Sequence, residues 1–211
     1  MHKEAYIKCK KEVAAWMRRL YKKGLTTTLG GNISLRIDES LIAITASASD
    51  KGRIKAAHVA IVGADGQCKD EGLTVSMETG MHLAVYRARP DVKAIVHAHA
   101  PMGSLFAVIE QSLNTNLLAE AHVILGVPCK AAYAAPGSEQ LAANVADASK
   151  AANVIIMANH GVLAVGSNLM EAFDRIEVLE NAAKMTVLTT LLKDKCELSI
   201  NQLAELKALL G

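Results

Sequence analysis

The sequence predicts a layered α/β domain whose sheet is mixed or mainly antiparallel. Segments with helical periodicity and segments with strand periodicity are interspersed along the chain, which favours helices packed on a sheet. Several predicted strands follow one another with only a short turn between them, as the strands of hairpins do. No GxGxxG motif follows a strand and no GxxxxGK[ST] motif is present, so the pattern does not favour a Rossmann fold.

In the N-terminal half, a predicted helix precedes three predicted strands. Apolar residues at helical spacing indicate an amphipathic helix that ends near Gly24; they are Val13, Trp16, Met17, Leu20 and Tyr21. After the tight loop Gly30-Gly31-Asn32, β-rich segments predict strands at residues 33–37, 41–45 and 59–62. The first two of these strands are joined by Asp38-Glu39-Ser40, which predicts a hairpin.

In the C-terminal half, helices and strands alternate more regularly. Ser76 is predicted to cap a helix that runs to about Arg89, and Asn168 with Glu171 forms a capping pair for a long last helix. Further strands are predicted at residues 92–98, 128–132, 154–158 and 162–165. Further helices are predicted at residues 101–110, 138–152 and 201–210.

Composition predicts one globular domain that spans residues 1–211. The chain is long enough for one sizeable domain and too short for two ordinary ones. With 51% hydrophobic but only 3% aromatic residues, its core must be built from aliphatic side chains and methionine. The net charge of +2, with no basic run beside aromatic residues, argues against a nucleic-acid surface.

The cysteines and the hydropathy pattern predict a cytoplasmic protein. The four cysteines are widely separated and form no CxxC pair, so reduced thiols are favoured over disulfides or a structural zinc knuckle. The polar, charged N-terminal segment lacks the apolar stretch of a signal peptide. No window approaches eighteen uncharged apolar residues, so we expect no membrane span.

Two histidines on one predicted strand are the strongest chemical signal. In Val96-His97-Ala98-His99-Ala100, alternate side chains point to the same side of the strand, so His97 and His99 can face one point. Catalytic zinc sites typically combine three protein ligands with one open position. The spacing therefore indicates a metal site, and a pair of ordinary histidines is the alternative.

His160 is the best candidate for a third ligand. It follows an apolar strand and precedes Gly161, a position from which a polar side chain can face a cleft. The alternative is a turn histidine that the backbone satisfies. His82 lies one helical turn after Glu78 and is interpreted as a supporting or core histidine, with a ligand role as the minority reading.

Glu78 is the candidate proton-transfer group. A carboxylate at a helix start can simply be stabilised by the helix dipole. Beside a metal, however, it can move a proton. Backbone and hydroxyl donors at Gly31, Asn32, Ser47 and Ser76 could bind an anion, although turn and cap chemistry explains such residues equally well.

An ordered series of motifs extends along the chain from about residue 5 to residue 190. The motifs are Gly31-Asn32-Ile33-Ser34-Leu35-Arg36, Ser76-Met77-Glu78, Tyr86-Arg87-Ala88-Arg89-Pro90-Asp91-Val92, His97-Ala98-His99, Pro136-Gly137-Ser138-Glu139 after Tyr133, and Asn159-His160-Gly161. This series resembles the class II aldolase/adducin family, and within it the L-fuculose-phosphate aldolase-like proteins.

The resemblance implies a fold, a cofactor and a reaction. The fold is a three-layer α/β/α domain around a mostly antiparallel sheet, assembled into a homotetramer with active sites between subunits. The cofactor is Zn2+, or else Mn2+ or Co2+, held by His97, His99 and His160. The reaction is the retro-aldol cleavage of a small ketose phosphate through a metal-stabilised enediolate, with Glu78 as acid and base. The substrate phosphate is held at Gly31, Asn32, Ser47 and Ser76.

Other activities of the same family stay open at this point. A sugar-phosphate dehydratase would keep a glutamate at position 78, whereas the 4-epimerases carry Asp there, so Glu78 favours an aldolase over an epimerase. A non-enzymatic adducin-like interaction module would lack the metal histidines. Three positions in the anion-binding loops depart from the aldolase pattern, because Leu29, Ala48 and Met77 each remove a donor or constrain the backbone.

Overall fold

The structure of the protein, a computed structural model, describes the backbone of residues 2–210 and the side chains of residues 4–208. Its α-helices are α1 (His2–Lys22), α2 (Thr79–Ala88), α3 (Pro101–Val108), α4 (Ala119–Leu125), α5 (Glu139–Ala151), α6 (Leu169–Leu192) and α7 (Ile200–Leu210). Its strands are β1 (Asn32–Arg36), β2 (Leu41–Thr45), β3 (Val59–Gly63), β4 (Ala94–Ala98), β5 (Cys129–Ala131), β6 (Val154–Met157) and β7 (Gly161–Gly166).

The strands form one sheet in the order β3-β2-β1-β4-β7-β6-β5. Every neighbouring pair is antiparallel except β5 and β6, which run parallel. The prediction of a mixed, mostly antiparallel sheet is therefore confirmed. The parallel pair is possible because α5 crosses over from β5 to β6, as a parallel connection requires.

Helices cover both faces of the sheet, so the predicted three-layer α/β/α fold is confirmed. Side chains of α1, α3, α4 and α6 form a core against one face. Side chains of α2 and α5 form a second core against the other face. Strand residues alternate between the two cores: Val96 belongs to the first and Ile95 to the second, as the period of two along a strand requires.

Several predicted elements are confirmed with shifted ends, and one α-helix was missed. The strand predicted at residues 92–98 begins only at Ala94, because the Val92 amide closes a turn onto Arg89 O. The capping pair predicted at the start of the long helix α6 is confirmed, since Asn168 accepts a hydrogen bond from the Glu171 amide. Helix α4 was not predicted; its seven residues are too few to show a helical period clearly.

The prediction that Ser76 caps a helix is wrong. Helix α2 begins at Thr79, and its N-cap residue is Glu78. Ser76 lies in the turn before the helix, where its carbonyl accepts hydrogen bonds from the amide and the hydroxyl of Thr79. Its hydroxyl is consequently at the side of Glu78 and not at the helix start.

Sheet topology brings distant segments of the chain to one edge. Because β1 is antiparallel to β4, the first residue of β1, Asn32, pairs with His97 near the end of β4. The turn between β6 and β7 reaches the same edge, since Ala98 pairs with Val162 on β7. Within the described residues no helix is both long and apolar enough to cross a bilayer.

Candidate metal centre

The three predicted ligands converge at the end of β4. Ring nitrogens of His97, His99 and His160 all lie within 4.8 Å of one another. His97 is fully buried, whereas His99 and His160 are half-buried. One side of the three-histidine group therefore lies in the core, and the other side faces a cleft.

The backbone fixes which nitrogen of His97 is available. Its Nδ1 lies 3.0 Å from the carbonyl oxygen of Val162. Because a carbonyl oxygen only accepts, Nδ1 must carry the hydrogen, and a neutral His97 presents the lone pair of Nε2. A backbone carbonyl that orients a histidine in this way is the usual support of a metal ligand.

The donor set fits a divalent cation. His97 Nε2 lies 3.2 Å from His99 Nε2, close enough for both nitrogens to contact one ion. His160 Nδ1 is buried and has no hydrogen-bond partner among the described residues. Three imidazoles with such nitrogens, next to a carboxylate, match the ligand types that zinc and similar ions prefer.

Glu78 lies directly against these histidines. Its Oε1 is 2.9 Å from His160 Nε2 and its Oε2 is 3.2 Å from His97 Nε2. The side chain is buried, and the Asn32 amide donates a hydrogen bond of 2.6 Å to Oε2. Position and orientation of the carboxylate are thus set by contacts from three separate elements.

Electrostatics keep the carboxylate ionised and His99 neutral. Burial tends to raise the pKa of Glu78, but His97, His160 and the Asn32 amide lower it far below its ordinary value. Burial and the neighbouring His97 and His160 lower the pKa of His99 to about 4. Burial alone would lower the pKa of His97, but the Glu78 carboxylate has the larger effect, so the pKa of His97 is raised. A neutral imidazole beside an ionised carboxylate is the form that binds a metal.

Behind Glu78, a buried chain of hydrogen bonds orients the Asn32 amide. Asn32 Oδ1 only accepts, so His82 Nε2 donates to it across 2.5 Å. His82 Nδ1 then accepts from the Ser34 hydroxyl at 2.7 Å, and Ser34 lies 2.8 Å from the Tyr86 hydroxyl. Burial lowers the pKa of His82 to about 3, which agrees with the neutral ring that this chain needs. The supporting role predicted for His82 fits this arrangement.

The predicted anion-binding residues meet in a pocket beside the histidines. The pocket has a volume of about 310 Å³. Its lining includes Gly31, Asn32, Ser47, Ser76 and Glu78, together with His99 and His160. It also includes the three departures from the aldolase pattern, Leu29, Ala48 and Met77. Lys51 also lines the pocket and was missed in the sequence, because a lysine among small residues in a predicted loop carries no periodic signal.

His122 and Tyr133 lie outside this pocket lining. His122 on α4 contacts Asn116 at 3.0 Å and is not part of the pocket lining among the described residues. Tyr133 is 61% exposed and is likewise absent from that lining.

Comparison with known proteins agrees with this fold. The model of the Class II Aldolase and Adducin N-terminal domain matches residues 11–187, so the chain belongs to that family. A 3-oxo-tetronate 4-phosphate decarboxylase of Haemophilus influenzae is 30% identical over 80% of this chain and 81% of its own length. An L-fuculose phosphate aldolase of Methanocaldococcus jannaschii is 33% identical over 87% of this chain and 98% of its own.

A solved structure supports the same grouping. An L-fuculose 1-phosphate aldolase superposes with a TM-score of 0.86 at 30% identity, and the match covers 94% of both chains. These relatives are aldolases and a decarboxylase, which confirms the prediction of a metal-dependent enzyme of the carbon–carbon lyase type. The decarboxylase activity among the relatives was not anticipated from the sequence.

Proposed function

We propose that this protein is a zinc-dependent lyase that cleaves a small ketose phosphate by a retro-aldol reaction. The observation that carries the proposal is the contact of Glu78 with the histidine group, at 2.9 Å to His160 and 3.2 Å to His97. An oriented, ionised carboxylate next to a metal centre is the arrangement that carbon–carbon cleavage beside a carbonyl needs. The aldolase relatives support the substrate class.

In the proposed site, His97, His99 and His160 hold the cation, and Mn2+ or Co2+ could replace Zn2+ there. When bound, the cation supplies Lewis-acid polarisation of a carbonyl and stabilises the negative charge of an enediolate. His97 contributes Nε2 because its Nδ1 is committed to Val162 O. The half-buried His99 and His160 leave the cleft side open to substrate.

Glu78 is the proposed proton carrier. As an ionised carboxylate it accepts the proton of the substrate hydroxyl when the carbon–carbon bond breaks, and it returns a proton to the enediolate carbon. Asn32 holds Oε2 by its hydrogen bond, so the carboxylate cannot rotate freely away from the substrate. Gly31, Asn32, Ser47 and Ser76 bind the phosphate in this proposal, because they share the adjacent pocket.

A decarboxylase is the second candidate, because a relative at 30% identity is a 3-oxo-tetronate 4-phosphate decarboxylase. Aldol cleavage and decarboxylation both break a carbon–carbon bond next to a carbonyl, and they differ in the fragment that leaves: an aldehyde or carbon dioxide. A dehydratase or 4-epimerase of the same family would yield neither, and an adducin-like interaction module would have no turnover. The homotetramer and the cytoplasmic location remain part of the proposal.

Elemental analysis of the purified protein tests the metal centre. We expect nearly one zinc, manganese or cobalt per chain, and its loss in the variant His97→Ala/His99→Ala/His160→Ala. The exposed His58 provides the control, because His58→Ala should leave the metal content unchanged. A native protein that stays empty after metal addition, or a triple variant that keeps its metal, would contradict the proposal.

A further inference from the structure

Lys51 is a buried lysine in the wall of the pocket beside the histidines. Its side chain is 3% exposed, and it lines the pocket together with Ser47 and Ala48. Its Nζ donates hydrogen bonds to Ala46 O at 3.2 Å and to Ser49 Oγ at 3.1 Å. An ammonium group has three N–H donors, so these two acceptors leave one donor for a further partner.

No carboxylate compensates this charge in the part of the chain that the structure describes, because none lies within 4.0 Å of Lys51 Nζ. The half-buried Lys10, in contrast, is paired with Asp70 at 2.6 Å. Burial lowers the pKa of Lys51 to about 8, so the amine is still mostly protonated at neutral pH. A buried cation without an anion is costly, and a bound anionic ligand would offset that cost.

Lys51 also connects the two loops whose donors line the pocket. Its backbone amide donates to Thr28 O at 2.9 Å, which ties it to the loop that contains Gly31. Its ammonium group holds Ala46 O, at the start of the loop that contains Ser47. The charge is thus placed between two sets of neutral donors.

Three other lining residues, Leu29, Met77 and Ala48, offer no side-chain donor to an anion. Leu29 and Met77 present apolar side chains that are 67% and 74% exposed. Ala48 adopts a φ of 51°, so its backbone is turned as in an anion-binding loop, but it contributes no hydroxyl. One charge-assisted hydrogen bond from Lys51 would offset about two missing neutral hydrogen bonds, since it is roughly twice as strong.

We propose that Lys51 is the specificity-determining cation of this pocket and selects a substrate that ends in a phosphate monoester. Donors reach the pocket from three sides, at Gly31, Ser47 and Ser76, which suits three terminal oxygens better than the two of a carboxylate. The proposal rests on the proposed function in taking this pocket as the substrate site. It adds a residue and a charge-based mode of recognition to it.

Titration with inorganic phosphate tests the proposal. Calorimetry at low salt and pH 7 compares the wild type with Lys51→Met, which keeps the length of the side chain without its charge. Lys55→Met is the matched control, because it removes an exposed lysine from the same segment. All three proteins are loaded with the same metal to the same content, so phosphate bound by the metal contributes equally to each titration. We expect Lys51→Met to weaken phosphate binding about 10- to 100-fold and Lys55→Met to leave it unchanged.

Equal phosphate binding in the wild type and Lys51→Met would overturn the proposal, and so would equal losses in both lysine variants or no binding to the wild type. Glycolate, a carboxylate, is titrated in parallel, and tighter glycolate than phosphate binding would overturn the choice of phosphate. This readout needs no turnover. Lys51-dependent phosphate binding in a protein that cleaves no sugar phosphate would refute the lyase alone, and cleavage with an unchanged KM in Lys51→Met would refute Lys51 alone.

Discussion

Asn32 shows how single residues connect sequence to chemistry in this protein. Its amide donates to Glu78, and its carbonyl oxygen accepts from His82. The sequence predicted a place for Asn32 in an anion-binding loop, and the structure adds the contact with the carboxylate. No local pattern could have shown this contact, because Asn32 and Glu78 are 46 positions apart.

At the same scale, the stability of the protein should depend on pH through Lys51. Its pKa falls from 10.5 to about 8 on folding, so between these values the unfolded state binds a proton that the folded state does not. The contribution of Lys51 to the free energy of unfolding therefore rises with pH between about pH 8 and 10.5. Below pH 8 the buried charge costs on the order of 3 kcal/mol, as a shift of this size implies.

The comparison of wild type and Lys51→Met isolates this effect. In urea unfolding at pH 7, 8, 9 and 10, we expect the variant to be more stable at pH 7 and its advantage to shrink toward pH 10. Other titrating groups are common to both proteins and cancel in the difference. A stability difference that is constant over this range would show that Lys51 is not a desolvated cation in the folded protein.

At the scale of elements, the end of β4 and the start of β7 form the frame of the histidine group. Gly161 allows this close approach: a Cβ there would lie 2.7 Å from Ala98 O and 2.9 Å from His99 Cδ2. One of these neighbours is backbone within the sheet, so it cannot move aside cheaply. The glycine after His160 is therefore a packing requirement of the site as well as a turn residue.

Gly161→Ala should consequently disturb the site through the strands. We expect the free energy of unfolding to fall by about 1–3 kcal/mol, as for other overpacking substitutions, together with a loss of bound metal. Gly80→Ala is the control, because nothing lies within 4 Å of a Cβ there and alanine favours a helix by up to about 1 kcal/mol. Urea unfolding and metal analysis check both variants. Full stability and full metal content in Gly161→Ala would contradict the account.

The elements that could be predicted are those with a strong local pattern. The hairpin β1–β2 and the helices α1 and α6 show clear periodicity and turn residues, and each is present near its predicted position. Helix α4 is too short for a clear period, and the start of α2 moved because the turn at Ser76 competes with capping. The ends of helices and strands depend on such local contacts, which hydrophobic periodicity does not reveal.

At the scale of the whole molecule, the site exists because sheet order joins segments far apart in sequence. The first residue of β1, the end of β4, the turn before β7 and the turn before α2 meet at one edge of the sheet. Strand periodicity could predict that His97 and His99 share a side. The positions of His160 at a strand end and of Glu78 at a helix start made them candidates, and the family resemblance agreed. Only the tertiary fold, however, sets their distances from His97.

Product analysis of the metal-loaded protein with small ketose phosphates tests the central claim most directly. The account predicts two carbonyl fragments in the NMR spectrum, and a rate at least about 100-fold lower in Glu78→Gln, which should keep its metal. Release of carbon dioxide would show that the same site catalyses decarboxylation and not aldol cleavage. Products with an intact carbon skeleton, or full activity in Glu78→Gln, would contradict the proposal that Glu78 moves the proton of a carbon–carbon lyase.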